Sequence, residues 1–185
     1  MKDKKVKDVM IPDEKYATIG NDASLLDMIL VLEESNRNVP EDHHKHRAVL
    51  VTDEKGKIIG KLGHLGFLKA LEPKYHEMVD FDKLSNAGLS SEFVESMMEN
   101  LSLWNDLFFD LGRQAKKIRV GEVMHPISES IDENASLLEA LHKMIMWQAL
   151  SIPVTKGANV VGLIRQADLY REITSYIKQL CNSID

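Results

Sequence analysis

The sequence predicts a mixed α/β (α+β) fold made of two copies of one small unit, packed as a pseudo-twofold pair with a helical insert between them. Three observations predict it. Four sequence blocks recur in the same order: Val9-Met10-Ile11-Pro12 returns as Val123-Met124-His125-Pro126, and Asp22-Ala23-Ser24-Leu25-Leu26-Asp27 as Asn134-Ala135-Ser136-Leu137-Leu138-Glu139. Val51-Thr52 then returns as Val154-Thr155, and Ile58-Ile59-Gly60 as Val160-Val161-Gly162. Ordered duplication of this kind marks a repeated structural unit. Each copy also carries the same succession of local signals, from an extended lead through a helix and two strands to a closing helix. The stretch between the copies has no counterpart in either, so the units span 1–71 and 118–185, with an insert at 72–117.

Each element has a local cause. Ser24 with Asp27, and Ser136 with Glu139, have capping-box spacing, in which the hydroxyl takes an orphan amide and the carboxylate reaches back. Helical periodicity follows in Leu25, Ile29 and Leu32, and in Leu137, Leu141 and Ile145. Two β-branched runs come next, Ala48 to Thr52 and Lys57 to Leu62, joined by Asp53-Glu54-Lys55-Gly56. The second copy has Ile152 to Thr155 and Asn159 to Ile164, joined by Lys156-Gly157-Ala158. Such runs around a short turn containing glycine read as hairpins. Leu169, Ile173, Ile177 and Leu180 form the closing helical stripe. A unit of about 65 residues is marginal alone, which is a physical reason for two copies to pack sheet against sheet.

In the insert, Phe93, Met97 and Leu101 line one helical face and Trp104, Phe108 and Leu111 another. Ser90 or Ser91 offers an N-cap and Gly112 a terminator. The favoured reading is a helical pair folded over the core, with Met97-Met98 as core filler; the competing one is a docking or dimerisation surface.

Composition narrows the function. The 185 residues are 44% hydrophobic, and 23 Lys plus Arg against 29 Asp plus Glu give a net charge of -6. A net acidic chain is a poor nonspecific nucleic-acid binder, because binding requires basic surface to displace phosphate counterions. The lone Cys181 excludes an intrachain disulfide and any multi-thiolate metal site. No apolar run reaches the roughly 18 residues that cross a bilayer, and the start MKDKKVKDV lacks the apolar stretch of a secretory signal. The expectation is a cytoplasmic protein with no membrane and no nucleic-acid partner. The chain has no G-x-S-x-G elbow, Walker loop or H-E-x-x-H, so no enzyme is expected. Glu41-Asp42-His43-His44-Lys45-His46 is rich in metal-ligating groups. Adjacent side chains diverge, however, and Lys45 repels a cation. The cluster therefore reads as a solvated loop whose histidines titrate near neutral pH, with a metal-responsive module acting through His43, His44 and His46 as the lesser reading.

The V-x-D-V-M-x-P before the first helix, the D-A-S-L-L-D and N-A-S-L-L-E helix starts, the V-x-G of the last strand and the Asp168-Leu169 pair resemble the CBS domain in its paired arrangement, the Bateman module. The resemblance covers about two-thirds of the chain and rests on order and duplication rather than on any single motif. It implies paired β-α-β-β-α units, clefts that take AMP, ADP, ATP or S-adenosylmethionine, regulation rather than catalysis, and face-to-face association of two modules.

In this family the last strand and helix start read G-h-h-[ST]-x-x-D, with the Asp on the ribose hydroxyls and the Ser or Thr on phosphate. The second copy reads Gly162-Leu163-Ile164-Arg165-Gln166-Ala167-Asp168. Asp168 stands at the ribose position, and one carboxylate suits a vicinal diol because it accepts both donors. Arg165 replaces the hydroxyl residue with a guanidinium able to hold phosphate. The first copy reads Gly60-Lys61-Leu62-Gly63-His64-Leu65-Gly66, with glycine at both polar positions, so that cleft lacks the family's contacts. Further walls of the second cleft are expected from the lead Met124, His125 and Pro126, from Ser130 and Ile131 at the first strand, and from Ser151, Ile152 and Pro153 opening the second.

The sequence thus reads as a stand-alone sensor, homodimeric through its modules. It binds an adenosyl small molecule mainly in the second cleft and reports to a regulated protein, with no resident cofactor or metal. The alternative is a degenerate module with empty clefts, acting as an oligomerisation or docking scaffold.

Overall fold

The computed structural model describes residues 4–37, 39, 45–71, 90, 96 and 111–182. The elements are β1 (Ile11–Pro12), β2 (Thr18–Gly20), α1 (Leu25–Arg37), β3 (Ala48–Thr52), β4 (Ile58–Gly63) and α2 (His64–Leu71), then α3 (Leu111–Lys117), α4 (Val120–Val123) and β5 (His125–Pro126). They continue with β6 (Ile131–Asp132), α5 (Leu137–Met146), β7 (Ser151–Lys156), β8 (Asn159–Arg165) and α6 (Gln166–Cys181).

Both helix starts are capped as their sequences require. The Ser24 amide donates to the Asp27 carboxylate at 2.9 Å, and the Asp27 amide donates back to the Ser24 hydroxyl at 3.2 Å. Ser136 accepts from the Glu139 amide at 3.1 Å, but the Glu139 carboxylate pairs with Lys143 at 3.2 Å instead of closing the box. Both hairpins form. Their turns place Gly56 at φ 77° and Gly157 at φ 61°, which only glycine adopts without strain. The Asp53 carboxylate further pins the first turn by accepting from the Lys55 and Lys57 amides, both at 2.9 Å.

The described strands form two four-stranded sheets, in the orders β1-β8-β7-β6 and β2-β3-β4-β5. Each unit supplies a parallel pair closed by a helical crossover, β2 with β3 and β6 with β7, and an antiparallel hairpin. The fourth strand of each sheet comes from the other unit. β1 lies against β8, Ile11 opposite Leu163 and Pro12 opposite Gly162; β5 lies against β4, Gly60 opposite Pro126 and Lys61 opposite His125.

The leads therefore differ from the expectation of extended segments opening their own units. Each begins with a helical turn, Val6–Asp8 or α4, and ends in a two-residue strand on its neighbour's sheet. The exchange pairs backbone groups that β4 and β8 would otherwise leave open at an edge. Glycine permits the approach: a Cβ at Gly162 would collide with the Ile11 carbonyl oxygen, and one at Gly60 with the Met124 sulfur.

One core cluster fills the first unit around Leu25, Met28, Leu32, Val49, Val51 and Leu62, and includes Ala115 from the insert and Val120 from beyond it. The other unites Ile131, Leu137, Met144, Ile152, Ile164 and Leu169 with Val6 from the first lead. A third sits between the sheets, where Tyr16, Ala48 and Leu50 meet Leu163.

Two expectations are corrected. Ile145 is 65% exposed and Ile177 51%, with Ala140 and Met144 taking the core positions of α5, so the apolar stripes run past the core onto the surface. Gly112 lies inside α3 and terminates nothing. α3 packs on α1, and its Ala115 joins the first core. Ser91, Phe93, Met97, Met98, Leu101, Trp104 and Phe108 lie outside the described residues.

Candidate functional site

The site lies where β8 runs into α6. Arg165 ends the strand with extended backbone and caps the helix, placing Asp168 in the first turn. An i,i+3 pair on a helix shares a face, and here it closes a fork. Arg165 Nε donates to Asp168 Oδ2 at 2.6 Å and Nη2 donates to Oδ1 at 2.9 Å. Both side chains are buried, Asp168 to 2% exposure. Arg171 adds a cation 3.5 Å from Oδ1. Arg165 also reaches the first unit, with Nη1 donating to the Lys45 carbonyl at 3.4 Å.

Two buried rings flank this pair. His46 packs edge-on to Tyr16 with centroids 4.4 Å apart, and Asn36 holds the His46 main chain by accepting from its amide (2.6 Å) and donating to its carbonyl (2.9 Å). His46 Nδ1 is buried and has no hydrogen-bond partner among the described residues. Burial, reinforced by the Arg165 cation, lowers the His46 pKa below the ordinary imidazole value, against a smaller opposing pull from Asp168. Burial also raises Tyr16 to about 12. At neutral pH the site therefore holds a neutral imidazole and a neutral phenol beside a closed ion pair.

Ser151 is the cross-strand partner of Arg165, and directly opposite residues share a face of the sheet. A second cation arrives there from the first unit: Lys61 Nζ donates to the Ser151 carbonyl at 2.6 Å and to its hydroxyl at 3.2 Å. Burial lowers the Lys61 pKa, opposed by Glu129.

The structure thus brings Asp168, Arg165 and Ser151 together. Ile131, Ile152 and Pro153 are buried beneath them, with Ile131 and Ile152 in the second core, and Ser130 turns its carbonyl to Lys143 at 3.3 Å. Met124, His125 and Pro126 lie on the exchanged lead, where His125 and Pro126 pair with β4 of the first unit and Met124 packs on the first core. Asp168 and Arg165, expected on ribose and phosphate, are each other's partner here. In the first unit, Gly63 and Gly66 offer no side chain, as read. Beside them an open groove of about 760 Å³ runs between α1 and α2, lined by Met28, Leu32, Asn36, His46, His64 and Phe67.

Sequence reasoning missed Lys61, Tyr16 and His46 as site residues. Lys61 left one signal, a lone charge inside the apolar run from Ile58 to Leu62. His46 does not belong to a solvated loop with near-neutral titration: it is 7% exposed, and His43 and His44 lie outside the described residues. Among the described residues no group of three or more His, Cys, Asp or Glu is placed to hold a metal, and no helix is long and apolar enough to cross a membrane.

The sequence model of the CBS domain matches residues 120–175. No curated protein matches the chain. Among solved structures it is similar to a CBS domain-containing protein from Bacillus anthracis str. Ames Ancestor, at 18% identity, 94% coverage of this chain and 95% of that one, and TM-score 0.61. It is similar to CBSX2 in complex with AMP, at 16% identity, 92% and 97% coverage, and TM-score 0.59. It also resembles the CBS domain of a membrane protein from Sphaerobacter thermophilus, at 18% identity, 90% and 86% coverage, and TM-score 0.57. The second unit thus carries a match to the CBS domain, a unit of the same plan is duplicated ahead of it, and the chain shares the fold of these solved structures.

Proposed function

We propose that the chain is a regulatory module whose second cleft binds an adenosine-containing ligand: AMP, ADP, ATP or S-adenosylmethionine. One observation carries the reading: the Asp168 carboxylate is buried at the seam between the units and held by an arginine able to take phosphate. The AMP complex of the similar CBSX2 supports the ligand class. Such a ligand replaces both halves of the ion pair. Its ribose hydroxyls donate to Asp168, and its phosphate accepts the Arg165 fork.

The exchange has a consequence for the rest of the molecule. Arg165 also touches the Lys45 carbonyl of the first unit, so moving the guanidinium alters the contact between units. A ligand that favours one arrangement over the other is what a signal requires. The exposed apolar face of Leu138, Ile145, Met146, Tyr170 and Ile177 offers a surface to a second copy. The module then acts as a cytoplasmic homodimer that reports to a regulated protein, without catalysis of its own.

The scaffold reading is favoured by a different observation: Asp168 is closed at 2% exposure and fully engaged by Arg165. Titration calorimetry with the four compounds separates the two readings. At least one binds the wild-type protein, and Asp168→Asn weakens it tenfold or more while the circular dichroism spectrum is unchanged. Silence from all four, with flat thermal midpoints, overturns the ligand reading and leaves the scaffold, because a ligand of the native state raises the midpoint by mass action.

A further inference from the structure

Lys61 is a half-buried ammonium that the fold does not need. It stands on β4 of the first unit, and its pseudo-twofold equivalent on β8 is Leu163, which is fully buried between the sheets. A leucine therefore serves the packing at this position. Lys61 instead extends into the second unit and ends on the carbonyl and hydroxyl of Ser151, both neutral groups. Among the described residues it has no carboxylate within 4 Å. A desolvated charge without a counter-ion is an unfavourable arrangement that native proteins keep where an anion is to be bound.

The surroundings point the same way. From β5, His125 lies opposite Lys61 in register; from the loop before β6, Glu129 acts on it at longer range; from β8, Arg165 faces the Ser151 to which Lys61 is bonded. An ammonium has three N–H donors, and two are in use. The Ser151 hydroxyl is itself able to donate. Lys61 of one sheet thus joins Ser151 and Arg165 of the other as a third donor.

Building on the adenosyl-ligand reading above, we propose that Lys61 is a second anion-binding residue of that cleft, beside Arg165, and that the ligand is a phosphorylated adenosine nucleotide rather than S-adenosylmethionine. A phosphate oxygen replaces the Ser151 carbonyl as the acceptor of the ammonium and supplies the missing counter-charge. S-adenosylmethionine carries a sulfonium cation where the nucleotide carries its first phosphate, and two cations there repel it.

Calorimetry and NMR titration of the full chain with adenosine, AMP, ADP, ATP and S-adenosylmethionine test this in the wild type, Lys61→Met and Lys61→Arg. The expected result is that AMP binds at least tenfold more tightly than adenosine and S-adenosylmethionine more weakly than either. Lys61→Met removes most of the advantage of AMP over adenosine without changing adenosine itself, and Lys61→Arg restores part of the difference. Removing a half-buried charge does not unfold the sheet, so a raised or unchanged thermal midpoint accompanies Lys61→Met. Equal binding of adenosine and AMP, an equal loss of both in Lys61→Met, or preference for S-adenosylmethionine overturns the role of Lys61 and leaves the adenosyl cleft standing. If no compound binds, adenosine included, the cleft reading falls and this one with it.

Discussion

Arg165 and Asp168 form a two-pronged ion pair, at 2.6 and 2.9 Å, inside the seam between the two units. Removing one member of such a pair leaves an unpaired buried charge. Asp168→Ala is therefore expected to lower the unfolding free energy by about 3 kcal/mol in urea denaturation. Arg165→Met costs less, because Arg171 remains 3.5 Å from the carboxylate. The apolar double substitution Arg165→Met/Asp168→Leu recovers most of the loss. A double variant as unstable as Asp168→Ala contradicts this account.

The glycines under the exchanged leads make unequal predictions. At Gly162 the obstacle to a Cβ is a backbone oxygen of Ile11, whereas at Gly60 it is first the flexible end of Met124. Gly162→Ala therefore costs about 1–3 kcal/mol, as overpacking does, and Gly60→Ala costs less. Reversal of that order in chemical denaturation counts against the described approach of β1 to β8.

Acid acts on stability through His46. Its folded pKa is lowered, so the unfolded chain binds the proton more readily. The stabilisation is complete above the ordinary imidazole value of about 6.5 and declines as pH falls below it. Tyr16 gives the opposite limb. Its phenol is raised from 10.0 to about 12, so the stability it contributes is lost as pH rises through that interval. Thermal melts from pH 5 to 7.5 are expected to show a slope that His46→Phe flattens, and an unchanged slope refutes the assignment.

The two helix caps differ in completeness. Ser24 is buried and exchanges bonds with Asp27 in both directions, and that hydroxyl lowers the Asp27 pKa; Ser136 makes one bond. Ser24→Ala is expected to cost about 1 kcal/mol and Ser136→Ala less, read as shifts of the urea midpoint.

Much of this fold is visible along the chain. The β-branched run Ala48 to Thr52 is the observed β3, and the second hairpin extends one residue further at each strand's outer end, to Ser151 and Arg165. Such elements follow from residues that touch their sequence neighbours. The apolar periods of α5 and α6 identify a stripe but not what covers it, so Ile145 and Ile177 were assigned to a core they do not join. At the candidate site, Asp168 and Arg165 were legible as positions, and their i,i+3 spacing already permitted the pair that forms.

The sequence alone determined that this protein is a duplicated unit of helices and hairpins, that its first copy lacks side chains at Gly63 and Gly66, and that Asp168 opens the last helix. Repeats, turns and caps are short-range, and short-range chemistry is written locally. Only the tertiary structure decided that Ile11-Pro12 and His125-Pro126 exchange sheets, that Arg165 closes on Asp168 and touches Lys45, and that Lys61 crosses to Ser151. Those relationships join residues up to about 150 positions apart in register. They are set by which backbone edges and buried charges still lack partners once each unit has folded, and no local pattern records that.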